Sequence, residues 1–482
     1  MPPWLPVLVV TALGAVVRFT TLDAQSFWFD EALTHELVNL SFGAMTDSAL
    51  RHQAQPPPYF ILAWLWTNVF GDGEVGLRSL SALLGTLTVP VAYATARRVG
   101  GRRAALVVGL LTALSPPLVW YSQEARAYAL LMFLCALSLL FFLRSLEHPG
   151  RRDLAVWALV SALAVASHYF ALFFVLPQAA WLVLRSADRR RALVATAGLG
   201  AGLVAVAPML LYQQKHTGVE WIGEIPLLPR VRDVAFVFVA GPSGAGPIAD
   251  HRGAVLAVGA LIALLGIGAA LRWSEGRARV GVLLMLALAV TVIGLPLAAA
   301  AVGKDYVLDR NLLPAWLPLI IVVAVGLSLP QLGRIGPLAV ATACVTFGYV
   351  VGKVPSEERV QRDDWRAVAE RLGPPRQGRI VEISPHWHAR TLALYMPGMA
   401  VMPRPERVAE IVTVTLGGFV PHGDPVAPVP PRRPFVQTAG HQIQRLTVTE
   451  YTAPKPVMVP PRALSGTGRN GARPFFQPAT GG

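Results

Sequence analysis

The stretch Pro56-Pro57-Pro58-Tyr59-Phe60-Ile61-Leu62-Ala63-Trp64-Leu65-Trp66-Thr67-Asn68-Val69-Phe70 decides how this chain is threaded. It is apolar, yet it is only about fifteen residues long and opens on three prolines. A helix that crosses a bilayer needs roughly 17 to 25 apolar residues. The run therefore reads as an interfacial or re-entrant segment and not as a crossing. Around it lie about eleven apolar spans, near 4–20, 75–96, 104–121, 127–144, 153–168, 170–186, 192–212, 253–272, 279–301, 311–329 and 336–353.

Charge orients them. If the Pro56 run does not cross, the clusters Arg97/Arg98/Arg102/Arg103, Arg144/Arg151/Arg152, Arg185/Arg189/Arg190/Arg191 and Arg272/Arg277/Arg279 all fall on the side of the N-terminus. Short loops rich in arginine stay cytoplasmic, so that side is inside. The other side then receives the first loop at 21–74, the segments Gln123–Arg126 and His168-Tyr169, the loop at about 213–252, Lys304–Arg310, and everything after the last span.

Composition agrees. Of 482 residues, 54% are hydrophobic and 15% charged, and the mean hydropathy of +0.50 exceeds what a soluble core can hide. The net charge of +14 raises nucleic acid as a partner, but the arginines sit in short clusters between apolar runs and not on one face, so no nucleic-acid partner is expected. Cys135 and Cys344 lie inside apolar runs and propose no disulfide or metal framework. The first apolar stretch lacks a basic leader and a small-residue cleavage site, and is expected to be a retained helix.

The expected fold is an α-helical polytopic membrane protein with a small external α/β domain at its C-terminal end. The membrane domain is expected over 1–353 and the external domain over 354–452. Strand-like runs at Arg379–Ile383, Ile411–Leu416 and Ile443–Thr449 there alternate with helical patterns at Asp364–Leu372 and Ala389–Tyr395. The Pro- and Gly-rich stretch 453–482 is expected to be a flexible tail.

The chemistry-bearing residues gather in the external segments. Asp30 and Glu31, in Ser26-Phe27-Trp28-Phe29-Asp30-Glu31-Ala32, follow the first span, and a carboxylate there could take the proton of a hydroxyl nucleophile. From the residues alone a helix cap by Asp30, with Glu31 in the first turn, is the reading to prefer. In Tyr121-Ser122-Gln123-Glu124-Ala125-Arg126-Ala127-Tyr128, Arg126 suits a phosphate, while Tyr121, Gln123 and Glu124 are candidate substrate contacts; a solvated turn with a snorkelling arginine is the alternative. Lys304, Tyr306 and Arg310 precede Asn311-Leu312-Leu313-Pro314, where two cations could stabilise charge on a leaving phosphate or anchor lipid headgroups. His168 is a candidate substrate contact or a hydrogen-bonded turn histidine. No P-loop, dinucleotide fingerprint, HExxH or clustered Cys/His motif occurs, so ATP-driven transport and zinc hydrolysis lack support and no metal ligand is assigned.

Together these segments resemble the GT-C superfamily of polytopic glycosyltransferases, in the family 39-like branch of protein O-mannosyltransferases, the aminoarabinose lipid A transferase and bacterial lipopolysaccharide-core sugar transferases. The resemblance rests on Phe27-Trp28-Phe29-Asp30-Glu31-Ala32, Pro56-Pro57-Pro58-Tyr59-Phe60, the run from Leu77 to Pro90, Tyr121–Tyr128 and Arg310-Asn311-Leu312-Leu313-Pro314. It is strong over 5–185, weaker to 330 and faint beyond. It implies a GT-C fold and transfer of a sugar from a polyprenyl-phosphate donor to a hydroxyl of a lipid, glycan or protein, at the outer face of the cytoplasmic membrane, with Asp30 as base. It also implies that the Pro56 run is a juxtamembrane helix, with Gln55 and Tyr59 near substrate. Many relatives carry a histidine where this chain has Gln55, and Gln cannot take a proton near neutral pH. Metal use varies in the superfamily, and a divalent ion stays open. Two other readings are a transporter or flippase of lipid-linked sugars, which predicts inverted repeats that are not detected, and a membrane scaffold whose external domain binds a partner.

Overall fold

Apolar runs become helices over most of the first 353 residues in the computed structural model, which describes residues 2, 4–148, 150–216, 219–242, 252–358, 361–375, 377–417, 430–464 and 472–479. Parts of the expected loop at 213–252 and of the expected tail lie outside the described residues. The chain divides into two units, one of residues 1–22 and 37–360, the other of 23–36 and 361–482.

The first unit is helical. It contains α1 (Leu5–Phe19), then, after α2 (Phe29–Val38), α3 (Phe42–His52), α4 (Pro58–Phe70), α5 (Glu74–Leu114), α6 (Pro116–Ser122), α7 (Tyr128–Glu147), α8 (Arg151–Ser167), α9 (Ala171–Arg185) and α10 (Arg189–His216). There follow α11 (Leu227–Ala240), α12 (Arg252–Trp273), α13 (Gly276–Ala301), α14 (Asp309–Leu312), α15 (Trp316–Leu327) and α16 (Ile335–Lys353). Large apolar side chains such as Leu159, Leu184, Val204, Leu261, Leu264 and Val290 point outward, the inverse of a soluble surface.

Among the described residues seven helices are long and apolar enough to cross a membrane, fewer than the eleven spans expected. The difference has local causes. The expected spans at 75–96 and 104–121 form one element, α5, bent at Gly101, whose φ of 76° only glycine adopts readily. The second of them stops at Leu114, because Pro116 and Pro117 cannot donate into a continuing helix and Ser115 caps a new one, α6. Spans expected near 4–20, 153–168 and 170–186 emerge as helices of 15, 17 and 15 residues, at or below the crossing length. The Pro56 run forms α4, a 13-residue helix with prolines at its start.

Arginine clusters mark one set of helix ends, exposed except for the half-buried Arg144: at the Gly101 bend, between α7 and α8, between α9 and α10, and between α12 and α13. Arg98 pairs with Glu147 and Arg144 with Asp153 (3.0 Å) there.

The second unit is a six-stranded sheet flanked by α17 (Trp365–Leu372) and α18 (Ala389–Ala393). Its strands are β1 (Arg379–Ser384), β2 (Ala400–Val401), β3 (Glu406–Leu416), β4 (Val436–Ile443), β5 (Leu446–Val459) and β6 (Arg473–Gln477), in the order β2-β6-β1-β3-β5-β4. Only β1 and β3 run parallel, joined by a crossover through α18. Period-two alternation sends Val381, Ile383, Val412 and Val414 against Trp365, Val368 and Leu392, and Ile380 and Ile411 to the opposite face.

Two expectations fail here. The run Ile443–Thr449, expected as one strand, is broken at Gln444-Arg445 by the turn of the β4–β5 hairpin, with Gln444 at φ 51°, so Ile443 ends β4 and Leu446–Thr449 begin β5. The stretch from 453, expected to be a flexible tail, completes β5 and supplies β6, which pairs with both β1 and β2 and seats Phe475 and Phe476 in the two cores. Aromatic burial in a short strand outweighs the surrounding Pro and Gly content.

Candidate functional site

In the first unit a cluster of polar and aromatic groups forms where α6, α7, α9 and α14 begin or end. Its base is a buried arginine. Arg18, at the end of α1, donates to the carbonyls of Ala113 (2.8 Å), Thr112 (3.0 Å) and Gly14 (3.1 Å) and to Ser122 Oγ (3.1 Å). A guanidinium at the C-terminal end of α5 satisfies carbonyls that a helix leaves unpaired and complements its dipole. It thereby ties α1, α5 and α6 together. The close approach requires Gly85, since a Cβ there would sit 1.9 Å from Ser122 Oγ.

On this base α6 presents Tyr121, whose hydroxyl donates to Asp309 Oδ2 at 3.2 Å. The Tyr121 ring packs on Tyr128 (4.9 Å between centroids), and Tyr128 on His168 (5.7 Å). Arg310 acts electrostatically on both Tyr121 and His168, Glu124 on Tyr121, and Arg126 on His168. Arg126 is buried, with its guanidinium over the Phe60 ring at 5.5 Å. Tyr121, Glu124, Arg126, His168 and Arg310 are thus brought together, with Asp309, Tyr128 and Phe60 added. A small cavity lined by Gly85, Thr88, Tyr121, Ser122 and Tyr128 adjoins them.

Other expected contacts are occupied by the scaffold. Gln123 Nε2 donates to Thr21 Oγ1 (2.7 Å) and to the carbonyls of Arg18 (3.1 Å) and Val17 (3.3 Å), capping α1. Tyr59 is fully buried with its hydroxyl 2.8 Å from Ser81 Oγ. His168 Nδ1 accepts from the Phe170 N–H (3.4 Å), the turn role weighed for it, which places its proton on Nε2 and turns that edge away from the backbone. Gln55 is buried, with a carbonyl oxygen that has no partner among the described residues. Lys304 is exposed and Tyr306 half-buried, its carbonyl accepting from Asn311 Nδ2 (2.8 Å).

The segment carrying Lys304, Tyr306 and Arg310 is held by a pair that pattern reading passed over. Arg230 forks onto Asp305 (2.9 and 2.5 Å) and donates to the carbonyls of Val307 (2.6 Å) and Ile225 (3.0 Å). The hydrogen bonds from Arg230 hold the Asp305 carboxyl below the usual range.

In the second unit, residues 23–36 form an extended strap and then α2. Asp30 lies in the first turn and is half-buried. Glu31 is fully buried, and its Oε2 accepts from the Trp28 N–H at 3.5 Å, half of a capping box. The cap is therefore Glu31, not Asp30. Among the described residues no group of three or more His, Cys, Asp or Glu side chains could hold a metal ion.

Residues 54–212 match the family model of dolichyl-phosphate-mannose-protein mannosyltransferases, about a third of the chain. The structure aligns with ArnT from Cupriavidus metallidurans bound to undecaprenyl phosphate at a TM-score of 0.56 and 15% identity, over 93% of this chain and 98% of that one. The chain has the fold of this ArnT. Apo oligosaccharyltransferase from Archaeoglobus fulgidus aligns at a TM-score of 0.47 and 13% identity, over 81% of this chain and 64% of the archaeal one. The S. cerevisiae Pmt1–Pmt2 protein O-mannosyltransferase complex aligns at 0.34 and 21%, over 44% and 33%. No curated protein matches the sequence. With seven helices among its described residues long and apolar enough to cross a membrane, the chain is an integral membrane protein.

Proposed function

We propose that this enzyme moves a sugar from a polyprenyl-phosphate donor to the hydroxyl of a lipid, glycan or protein acceptor at the outer face of the cytoplasmic membrane. The observation that carries the reading is the gathering of Arg126 and Arg310 around Tyr121 and His168 at the helix ends remote in sequence from the arginine clusters. ArnT, whose fold this chain shares, was captured with undecaprenyl phosphate. That ligand class fits two guanidinium groups, one buried and one half-buried.

Glycosyl transfer asks for an anion sink and a proton acceptor. Arg126 and Arg310, with Lys304 at the entrance, take the charge that builds on the departing phosphate as the anomeric C–O bond breaks. Partial burial strengthens that interaction relative to water. Asp30 accepts the acceptor's hydroxyl proton while the oxygen attacks the anomeric carbon from the opposite side, which inverts the centre. Glu31 keeps the first turn of α2 in place. Glu124, Tyr121 and His168 orient the sugar, and Tyr306 contacts substrate beside Arg310.

The test is a panel of radiolabelled polyprenyl-phosphate sugars incubated with membranes containing the protein. Release of label from one lipid names the donor and supports the reading. Movement of an intact labelled lipid across vesicles without release favours a flippase, and neither outcome with folded protein favours a scaffold.

A further inference from the structure

The strap at 23–36 belongs to the C-terminal unit although more than three hundred residues separate them in sequence. Its attachments are specific. Gln25 Oε1 accepts from the Arg362 N–H (2.9 Å), and Ser26 Oγ accepts from the Trp365 N–H and donates to the Asp363 carbonyl, both at 3.1 Å. The Phe27 N–H donates to Tyr395 Oη at 2.7 Å. The Phe29 ring meets His388 edge-on (5.4 Å), and His388 stacks on Trp365 (5.4 Å, 15°). Arg390 lies over Phe29 at 5.7 Å and pairs with Glu36 at 3.1 Å.

We propose that the C-terminal α/β domain is a clamp that sets the rotation of α2 and so aims Asp30, with Arg390 and Tyr395 as its positioning residues. This rests on the assignment of Asp30 as the base. A ten-residue helix is too short to be stable alone, so its pose is imposed from outside. Phe29 and Glu36 are seven residues apart, one above the other on a single stripe of α2. Arg390 touches both and therefore holds the stripe at each end. Asp30 sits about 100° round from that stripe. A roll of about 20° would carry a carboxylate at a radius of about 5 Å through about 2 Å, and a misplacement of about 1 Å already costs on the order of a hundredfold in rate. Tyr395 acts before the first turn, where it takes the Phe27 N–H and fixes the entry of the chain into α2.

The clamp predicts a loss in kcat with little change in donor KM, because it acts on the proton acceptor and not on the phosphate site. Arg390→Glu and Tyr395→Phe should each lower kcat about ten- to a hundredfold, with donor KM within about twofold and unchanged melting temperature. Tyr395→Phe keeps the half-buried ring, so it tests the hydroxyl without removing its packing on the core. Adding Glu36→Arg to Arg390→Glu remakes the ion pair and should recover much of kcat, a rescue that mere loss of packing would not show. Wild-type kcat in Arg390→Glu and Tyr395→Phe, while Asp30→Asn is inactive, would overturn the clamp and leave the base assignment standing. A kcat loss that tracks loss of folded protein and is not recovered by the swap would also overturn it. Full activity in Asp30→Asn would remove both.

Discussion

Arg230 offers a sharp test of how the phosphate site is held, because three of its four hydrogen bonds serve the loop that carries Lys304 and Arg310, and the fourth ties it to the Ile225 carbonyl. Replacing it with Met keeps the length and removes the charge. Breaking one side of a buried ion pair costs about 3–5 kcal/mol, and we discount this to about 2–3 kcal/mol for the solvent that still reaches Asp305. Asp305 retains 20% exposure against 6% for Arg230. The freed loop should also misplace Arg310 and raise donor KM about tenfold, the equivalent of about 1.4 kcal/mol. The assay is paired, with thermal unfolding in detergent on one side and steady-state release of labelled sugar on the other. Asp305→Asn should partly restore stability to Arg230→Met, since it neutralises the orphaned carboxylate. Asp305 is held below its ordinary 3.8, so its contribution is full above that value and is lost as pH falls through the folded value. In Arg230→Met this acid-side loss should disappear. Wild-type stability and wild-type donor KM in Arg230→Met would refute the reasoning.

Glu382 makes the opposite pH prediction. Burial in β1, with neither carboxylate oxygen hydrogen-bonded among the described residues, pushes it up to about 8. The neutral acid's contribution is full below about 4.5 and lost as pH rises towards 8, by up to about 1.4 kcal/mol per pH unit. Hydrogen exchange of β1 and β3 amides should therefore show Glu382→Met gaining protection over wild type between pH 5 and 8, and a constant difference would contradict it. Gly85→Ala should displace Ser122 and Tyr121, costing more than about 1 kcal/mol in thermal unfolding and lowering kcat/KM. Arg310→Ala should raise donor KM at least tenfold; unchanged kinetics would remove it from the site.

Pattern carried the reading furthest where one physical period dominated. Apolar run length and loop arginines revealed the membrane domain, and the shortness of the Pro56 run correctly marked α4 as a 13-residue helix. Alternation revealed β1 and β3. The site segments around Tyr121 and Arg310 were legible because polar groups between apolar spans stand out. Arg18, Arg230 and Asp305 were not, since their partners are backbone carbonyls or side chains that only folding brings close. The turn at Gln444 lacked glycine or asparagine to announce it. The same limit hid the union of residues 23–36 with the C-terminal sheet, a contact between distant segments with no local signature. Gln123 and Tyr59 show the converse, polar groups in the right motifs whose hydrogen bonds are spent within the scaffold.

The central claim is that Asp30 is the base of a sugar transfer from a lipid phosphate. The direct measurement is the rate at which label leaves a polyprenyl-phosphate sugar in the presence of acceptor, for wild-type and Asp30→Asn protein of equal abundance and melting temperature. The account predicts donor binding in both, with release at least a hundredfold slower in the variant, in line with the rate that a positioned general base contributes, about 10²–10⁴-fold. Release at the wild-type rate from Asp30→Asn would contradict it.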